Sequence, residues 1–285
     1  MRSARAHLNA LGCLALCLAL SSCNQRIVGG TRRSRTFNKV ISLSPSATEV
    51  INSSLVAMRL LRGRTSACNY PPDSTANIEV VAGVKPDYER IARIAPDLIV
   101  YDQSLYSPAD EAKIKQLGAE VFVIRADRVD DFRLEVARLG SMLVSEPFAS
   151  KYLDKIASAT LAAKSQQPIP APRVALIMPG QGAEHMIAGV DSFQADEIRL
   201  AGGQAVGPKS KKFESVNAEA LIGWNPDVVI TAGPPESFLK DGRFAGLKAV
   251  KTRRVVGMLA DVVLRRGGRV DVFISVASRI LRGAL

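Results

Sequence analysis

The chain has 285 residues, of which 47% are hydrophobic, and a formal net charge of +11. This length is enough for two lobes of ordinary domain size, and only four cysteines argue against a disulfide-stapled fold. Seven of the basic residues lie within positions 1–39, where there is no acidic residue. The positive charge is therefore concentrated at the N-terminus, which argues against a nucleic-acid-binding protein.

The N-terminus carries the features of an export signal. Two arginines precede an apolar segment at residues 8–20 that is too short to span a bilayer. A pair of serines then leads to Cys23, in a sequence that resembles a bacterial lipobox. We therefore predict a lipoprotein signal peptide at 1–23, lipidation of Cys23 and a flexible tether at 24–38 beside an anionic membrane surface. An ordinary signal peptide with an incidental cysteine is the alternative.

The first lobe is predicted at 39–144, where strand and helix signals alternate. An apolar strand at 39–43 runs into a helix, for which Ser46 is the predicted N-cap and Glu49 the capping-box partner. Further predicted elements of this lobe are strands at 98–101 and 120–124 and helices at 108–117 and 131–143.

A long helix is predicted to join this lobe to a second one. The helix covers 145–167 and is roughly 30 Å long, enough to run the length of a lobe. A proline-rich connector follows it and opens the second lobe, at 168–285. The predicted elements of this lobe are strands at 173–177 and 254–258 and helices at 192–201 and 270–281.

Strand ends supply the first candidates for ligand contacts. In an open α/β sheet, ligands bind beyond the carboxyl ends of the strands. Ser44 and the pair Asp102 and Gln103 follow strands of the first lobe, and Asp261 follows a late strand of the second. We predict that these four side chains face the crevice between the lobes.

One pattern occurs twice, nearly half a chain apart. Glu89 and Glu219 each open a short helix, and a Pro-Asp pair at the same distance from each leads into an apolar strand. A proline at that position ends a helix and starts an extended segment. The two copies predict equivalent helix-loop-strand units in two similar lobes, each presenting a carboxylate. The alternative is that such units are common in α/β proteins and that the glutamate merely favours the helix dipole.

Taken in order, these motifs resemble the substrate-binding proteins of bacterial ABC importers for iron chelates, haem and cobalamin. The resemblance implies an α/β fold with two Rossmann-like lobes bridged by one long α-helix. It also implies that one ligand binds in the cleft and that Glu89 and Glu219 dock onto an ABC permease dimer of the inner membrane. The resemblance covers 39–282 and rests on both Glu…Pro-Asp copies and on segments 40–49, 70–72, 200–203 and 265–269.

The resemblance implies a ferric siderophore, haem or a corrinoid as ligand, and these differ in the side chains they need. Tyr70 and Tyr88 lie near the expected cleft rim, where a tyrosinate can ligate the ferric iron of haem. An anionic ferric siderophore would suit Arg265 or Arg266 through bidentate contacts. The single tryptophan, Trp224, occupies an apolar position of the second repeat and is expected in the lobe core, so an aromatic corrinoid cage is poorly supported.

Two other function classes lack the residues they need. The only histidines are His7, in the leader, and His185, expected at the surface or in a loop, so a histidine-rich site for a bare metal ion cannot be built. The sequence has neither a Gly-x-Ser-x-Gly elbow nor a Gly-Lys-Ser/Thr phosphate loop, so we predict no enzyme activity and no cofactor.

The predicted protein is an exported monomer at the cell envelope, in the periplasm or on the outer face of the cytoplasmic membrane. Its predicted partners are a small metal chelate or corrinoid, the permease dimer and, through the N-terminal lipid, the membrane. The alternative is a lipid-anchored sensor or storage module without a permease, which would not require Glu89 and Glu219.

Overall fold

The computed structural model describes residues 36–143, 146–180 and 184–284, without the side chain of Glu146. The predicted signal peptide, Cys23 and most of the predicted tether lie outside these residues. The described residues belong to one compact unit that begins at Thr36. Within them, no helix combines the length and the hydropathy that a bilayer-spanning segment needs.

The N-lobe is a parallel sheet with helices between its strands. The strand order is β3-β2-β1-β4-β5, and every neighbouring pair is parallel. Its central strand residues are almost all buried, as expected for a parallel sheet covered on both faces. The strands are β1 (Val40–Ser42), β2 (Leu61–Thr65), β3 (Glu79–Ala82), β4 (Leu98–Asp102) and β5 (Glu120–Ile124). The helices are α1 (Pro45–Asn52), α2 (Pro72–Thr75), α3 (Tyr88–Ile94), α4 (Pro108–Lys115) and α5 (Val129–Met142).

The C-lobe sheet is mixed, with the order β11-β10-β6-β7-β9 and β8 added beside β6. The strands β6, β8, β10 and β11 run parallel, whereas β7 and β9 are antiparallel to their neighbours. The strands are β6 (Arg173–Met178), β7 (His185–Ala188), β8 (Gln204–Ala205), β9 (Phe213–Val216), β10 (Val228–Ala232) and β11 (Val255–Met258). The helices are α7 (Phe193–Leu200), α8 (Ala218–Trp224), α9 (Glu236–Leu239), α10 (Lys248–Lys251), α11 (Ala260–Leu264) and α12 (Val270–Leu281).

The two copies of the repeated pattern have the same local structure. The side chains of Asp87 and Asn217 cap α3 and α8, and each helix ends in a left-handed residue, Ala95 with φ 50° and Asn225 with φ 43°. The strands that follow, β4 and β10, pair with the first strand of their own lobe, β1 and β6. The repeat is therefore a structural one.

The aspartate of each Pro-Asp pair fixes this arrangement. Asp97 accepts hydrogen bonds from the backbone N–H groups of Asn38 and Lys39, at 2.7 and 3.0 Å. Asp227 accepts one from the backbone N–H of Arg173, at 2.8 Å. Each carboxylate therefore ties the start of the repeat strand to the start of the lobe's first strand.

The helix α6 (Glu146–Ser165) joins the lobes, as predicted. It buries Tyr152 and Ile156 in a hydrophobic cluster that also contains Val40 of the N-lobe and Phe273 of the C-lobe. Because one core runs through both lobes, they are packed against each other and not merely tethered. Trp224 is partly buried and packs against a separate C-lobe cluster, in agreement with its expected core position.

Candidate functional site

A cleft of about 1020 Å³ separates the two lobes. Because the carboxyl ends of parallel strands meet at one edge of each sheet, the loops that follow β4, β5 and β6 reach this space. The N-lobe lining consists of Asp102, Gln103, Ser104, Tyr106, Asp131 and residues 124–127. The C-lobe lining consists of Met178, Gln194, Leu264, Arg266 and residues 211–213.

Three of the predicted ligand contacts line this cleft: Asp102, Gln103 and Arg266. Asp102 is only 5% exposed. Its carboxylate accepts hydrogen bonds from the backbone N–H and the hydroxyl of Ser104, at 2.8 and 2.7 Å. These hydrogen bonds therefore fix the conformation of the loop that follows β4. The Arg266 guanidinium lies 3.5 Å from the Asp127 carboxylate, so it already forms an ion pair within the cleft.

The other five predicted contacts do not line the cleft: Ser44, Tyr70, Tyr88, Asp261 and Arg265. Ser44 is buried, and its hydroxyl caps α1 by accepting from the backbone N–H of Ala47. The prediction of Ser46 as N-cap with Glu49 as its partner is wrong. Pro45 occupies the first helical turn, where a missing N–H costs nothing, and so the cap falls one residue earlier, on Ser44.

Tyr88 makes its contacts with α4, outside the cleft lining. Its hydroxyl donates to Asp110 Oδ1 at 2.8 Å, and the Lys113 ammonium lies 5.2 Å from the ring centroid. Burial and the nearby carboxylate raise the pKa of Tyr88 to about 12. Tyr70 is 43% exposed, and the Arg269 guanidinium lies over its ring, 4.5 Å from the centroid. The neutral, hydrogen-bonded Tyr88 is poorly suited to act as a tyrosinate ligand.

The predicted role of Arg265 in ligand contact does not agree with its surroundings. Its side chain is 10% exposed and pairs with the buried Glu49 of the N-lobe, while another of its nitrogens donates to Asp261 Oδ2 at 2.8 Å. Arg269 Nε donates to the other oxygen of Glu49, at 2.9 Å. Burial raises the pKa of Glu49, whereas the two guanidinium groups act in the opposite direction. Glu49 is thus the centre of an ion cluster that joins the lobes.

Two glycines of the C-lobe make this cluster possible. A Cβ on Gly268, which has φ 65°, would lie 2.6 Å from Glu49 Oε2. A Cβ on Gly267, which has φ 105°, would lie 2.2 Å from Cζ of Phe132 in the N-lobe. Glycine at both positions lets the backbone between Arg266 and Arg269 lie directly against the N-lobe.

Further ion pairs cross the interface between the lobes. Asp196 of α7 is 7% exposed and accepts from the backbone N–H of Val129 at 2.9 Å and from Arg128 at 3.1 Å. At the cleft itself, Lys211 Nζ lies 2.6 Å from Asp127 Oδ2. These two residues also line a neighbouring cavity of about 600 Å³. The Asp127–Lys211 pair is exposed, whereas the pairs of Glu49 are buried on both sides and Asp196 is a buried carboxylate with exposed arginine partners.

Two cations of the cleft form no ion pair within the described part of the chain. Arg125 follows β5 in the N-lobe and Lys212 precedes β9 in the C-lobe, and both are exposed cleft-lining residues. Neither side chain has a hydrogen bond or ion pair with the described part of the chain. The sequence-based search missed Arg125, although it follows a predicted strand as Asp102 does. It missed Lys212 because no strand was predicted near that residue.

The two repeated glutamates are both exposed. Glu89 and Glu219 occupy the second residue of α3 and of α8. Neither makes an ion pair with another described residue. Their equal positions in equivalent units give each lobe one free carboxylate, as the repeat predicts.

His185 differs from the expectation of a surface or loop residue. It is the first residue of β7, is 1% exposed and packs against both Phe238 and Phe244, which are stacked on each other. Its Nδ1 accepts from the backbone N–H of Gly180 at 3.3 Å, and its Nε2 lies 3.4 Å from Asp241 Oδ2. It is a core residue. Among the described residues there is no group of three potential metal ligands.

Glu197 of α7 is a buried acid whose titration should be measurable. It is fully buried, and neither of its carboxylate oxygens has a hydrogen-bond partner among the described residues. Burial raises the pKa of Glu197 well above its ordinary value and so favours the protonated form in the folded protein. The unfolded chain releases that proton at lower pH. Stability therefore falls as pH rises from the ordinary glutamate pKa towards the folded one, by about 1.4 kcal/mol per pH unit.

Replacing Glu197 with glutamine should remove this dependence. We expect Glu197→Gln to match the unaltered protein at mildly acidic pH and to exceed its free energy of unfolding at neutral and alkaline pH. Urea unfolding at a series of pH values measures the effect, with the exposed Glu236→Gln as control. Parallel stability curves for the unaltered protein and Glu197→Gln would contradict a protonated Glu197.

Comparison with known proteins agrees with the two-lobed architecture. A family described as "Periplasmic binding protein" matches residues 40–262. The ABC transporter substrate-binding lipoprotein YvrC of Bacillus subtilis (strain 168) is 23% identical over 246 residues, which cover 81% of this chain and 76% of YvrC.

Solved structures show the same fold. The periplasmic heme-binding protein BhuT, in complex with two hemes, superimposes with a TM-score of 0.75 at 21% identity and covers 88% of this chain and 99% of BhuT. The periplasmic vitamin B12 binding protein BtuF of Vibrio cholerae gives a TM-score of 0.74 at 22% identity, covering 87% of this chain and 98% of BtuF. The matched family consists of binding proteins and not of enzymes. Since the family match spans most of the chain, the protein belongs to the periplasmic binding protein family.

Proposed function

We propose that the protein captures an anionic metal chelate, a ferric siderophore, between its lobes and delivers it to an ABC permease dimer. The observation that carries this proposal is the charge of the cleft. Arg125 and Lys212 line it from opposite lobes without an ion-pair partner among the described residues, while Asp127 is already paired with Lys211 and Arg266. Two free cations on facing walls favour an anion that bridges them.

Haem and corrinoids have less support from the cleft. Its aromatic lining, among the described residues, consists of Tyr106 and Phe213. The Tyr106 hydroxyl donates to the backbone carbonyl of Leu43 at 2.8 Å, and burial raises the pKa of Tyr106 far above its ordinary value. A neutral, hydrogen-bonded phenol is a poor ligand for ferric iron. BhuT and BtuF are nevertheless described with hemes and with vitamin B12, so both classes belong in the ligand panel.

Transport and anchoring are part of the same proposal. The exposed Glu89 and Glu219, at equal positions of the two lobes, would engage basic pockets on the two permease subunits. The lipobox-like sequence at Cys23 and the likeness to the lipoprotein YvrC support lipid anchoring at the cell envelope. Labelling with a radioactive fatty acid, lost in Cys23→Ala, would test the anchor.

Ligand identity is tested by native mass spectrometry and absorption spectroscopy. The protein is offered ferric siderophores, haem and corrinoids in turn. We expect a bound mass and a charge-transfer band with an anionic ferric siderophore. A Soret band with haem, or a corrin spectrum, at higher affinity would overturn the choice of ligand while leaving a binding protein in place.

The two free cations give the sharper test. Each charge-assisted contact is worth roughly 1.5–3 kcal/mol, so we expect Arg125→Gln and Lys212→Gln each to weaken siderophore binding at least about tenfold. Isothermal titration calorimetry measures the loss. The control is Lys209→Gln, which removes a nearby exposed cation that does not line the cleft. Equal affinities for all three variants would show that the cleft cations do not hold the ligand.

A further inference from the structure

The amino ends of the C-lobe strands form a strongly cationic surface. The strands begin there at Arg173, Val228 and Val255, at the opposite edge of the sheet from the cleft. The last turns of α10 and α12 end beside them. We call this surface the basic face, and its cations are Lys248, Lys251, Arg253, Arg254, Arg279 and Arg282.

Hydrogen bonds show that the basic face is continuous. The Arg254 guanidinium donates to the backbone carbonyls of Ile280 and Leu281, at 3.1 and 2.8 Å. The turn before β11 is therefore fastened to the end of α12. On the other side, the backbone N–H of Arg254 donates to the carbonyl of Ala249 at 2.7 Å, which joins the turn to α10.

The described part of the chain supplies the basic face with almost no counter-charge. The one acid joined to it by contacts of the described residues is Asp227, and Lys248 Nζ already lies 2.6 Å from its carboxylate. The side chains of four exposed residues form no ion pair with the described part of the chain: Lys251, Arg253, Arg279 and Arg282. Four cations without an ion-pair partner among the described residues give this end of the lobe a positive potential.

An exposed apolar side chain lies in the connector that reaches the same edge of the sheet. Ile169 is 96% exposed and lies between Pro168 and Pro170, in the connector that leads into β6. The carbonyl of Pro172 accepts from the backbone N–H of Gln204 at 2.8 Å, which holds the connector at the same edge of the sheet. A proline-restricted loop thus presents an isoleucine to solvent at the edge of the sheet to which the basic face belongs.

We infer that the basic face and Ile169 together bind the surface of an anionic phospholipid bilayer. Cations that meet lipid phosphates and an apolar side chain that enters the boundary of the acyl layer are the two contributions to interfacial binding. A nucleic acid would use the cations but offers no apolar layer to Ile169. Because the face lies at the amino ends of the strands, a bilayer bound there leaves the cleft at their carboxyl ends open.

Vesicle partitioning of the full, processed chain tests this inference. The readout is the ratio of partition coefficients for phosphatidylcholine vesicles with and without phosphatidylglycerol, which cancels any contribution of a lipid anchor. Each cation near an anionic surface contributes about fivefold, so the triple variant Lys251→Gln, Arg279→Gln, Arg282→Gln should lower the ratio on the order of 100-fold. Ile169→Ser should weaken binding to the anionic vesicles roughly tenfold, with little dependence on salt.

Matched variants separate this effect from general loss of charge or apolar surface. Lys115→Gln, Lys151→Gln, Lys155→Gln removes three exposed cations of other surfaces, and Val84→Ser removes a side chain that is 98% exposed in the N-lobe. The triple control should leave the ratio unchanged, and Val84→Ser should leave binding to the anionic vesicles unchanged. The inference is overturned if the controls and the test variants behave alike. It is also overturned if duplex DNA competes with the vesicles and Ile169→Ser does not change the affinity for DNA. None of these measurements involves the ligand of the cleft.

Discussion

We expect uptake of the ligand to fall to background when Glu89 and Glu219 are both replaced by alanine, while the affinity of the isolated protein for that ligand stays unchanged. Both carboxylates are exposed in the first turns of equivalent helices and line no part of the cleft. Charge pairs formed by both lobes at once fix the register of docking, and they also steer the encounter with the permease. Without both carboxylates, neither lobe would keep its contact with the permease.

The measurement is transport of labelled ligand into cells or permease-containing vesicles, together with calorimetric titration of the same variants. Each single substitution should reduce uptake partly, because the other lobe keeps its contact. The matched control is Asp73→Ala with Glu236→Ala, which also removes one exposed first-turn acid from each lobe. Unchanged uptake in the Glu89 and Glu219 double variant would favour the sensor or storage module. A loss of uptake in the control as well would mean that overall charge, and not position, matters.

The lobes and the repeat could be predicted because their signals are local. A capping Asp or Asn, a left-handed residue and a Pro-Asp pair all fall within about a dozen residues of each other, and each shapes the backbone it belongs to. The connecting helix was predictable for the same reason, since its apolar stripe is a property of one segment. Pro45 is also a local signal. Because proline favours the first position of a helix, it indicates that the N-cap is the residue before it, Ser44.

The site was less predictable because its contacts join distant segments. Arg265 and Arg266 are neighbours in sequence, yet one is buried against Glu49 and the other enters the cleft. No pattern within the segment distinguishes them, since the difference comes from a partner more than 200 residues away. His185 is a similar case, because the two rings packed against it, Phe238 and Phe244, come from the segment that follows β10, about 50 residues later in the chain.

The ion cluster at Glu49 should make the largest single contribution of a polar residue to stability. We expect Glu49→Ala to lower the free energy of unfolding by about 3–5 kcal/mol, because it leaves two largely buried guanidinium groups without their carboxylate. Glu49→Gln should cost less, since its amide oxygen can still accept from one arginine. Chemical unfolding at neutral pH measures both.

Glu135→Ala is the matched control for the Glu49 cluster. Its carboxylate is also mostly covered, at 11% side-chain exposure, but its partner Arg138 lies in the same helix and is 65% exposed. Such a pair contributes about 0–1 kcal/mol, so this variant should be far milder. Because the Glu49 cluster joins α1 of one lobe to the segment before α12 of the other, its loss should also loosen the two lobes against each other. Faster hydrogen exchange at the interlobe contacts of Val129 and Phe132 in Glu49→Ala, and not in Glu135→Ala, would report that loosening. Equal stability losses in the two variants would instead mean that the arginines find other partners once Glu49 is gone, and that the cluster does not hold the lobes together.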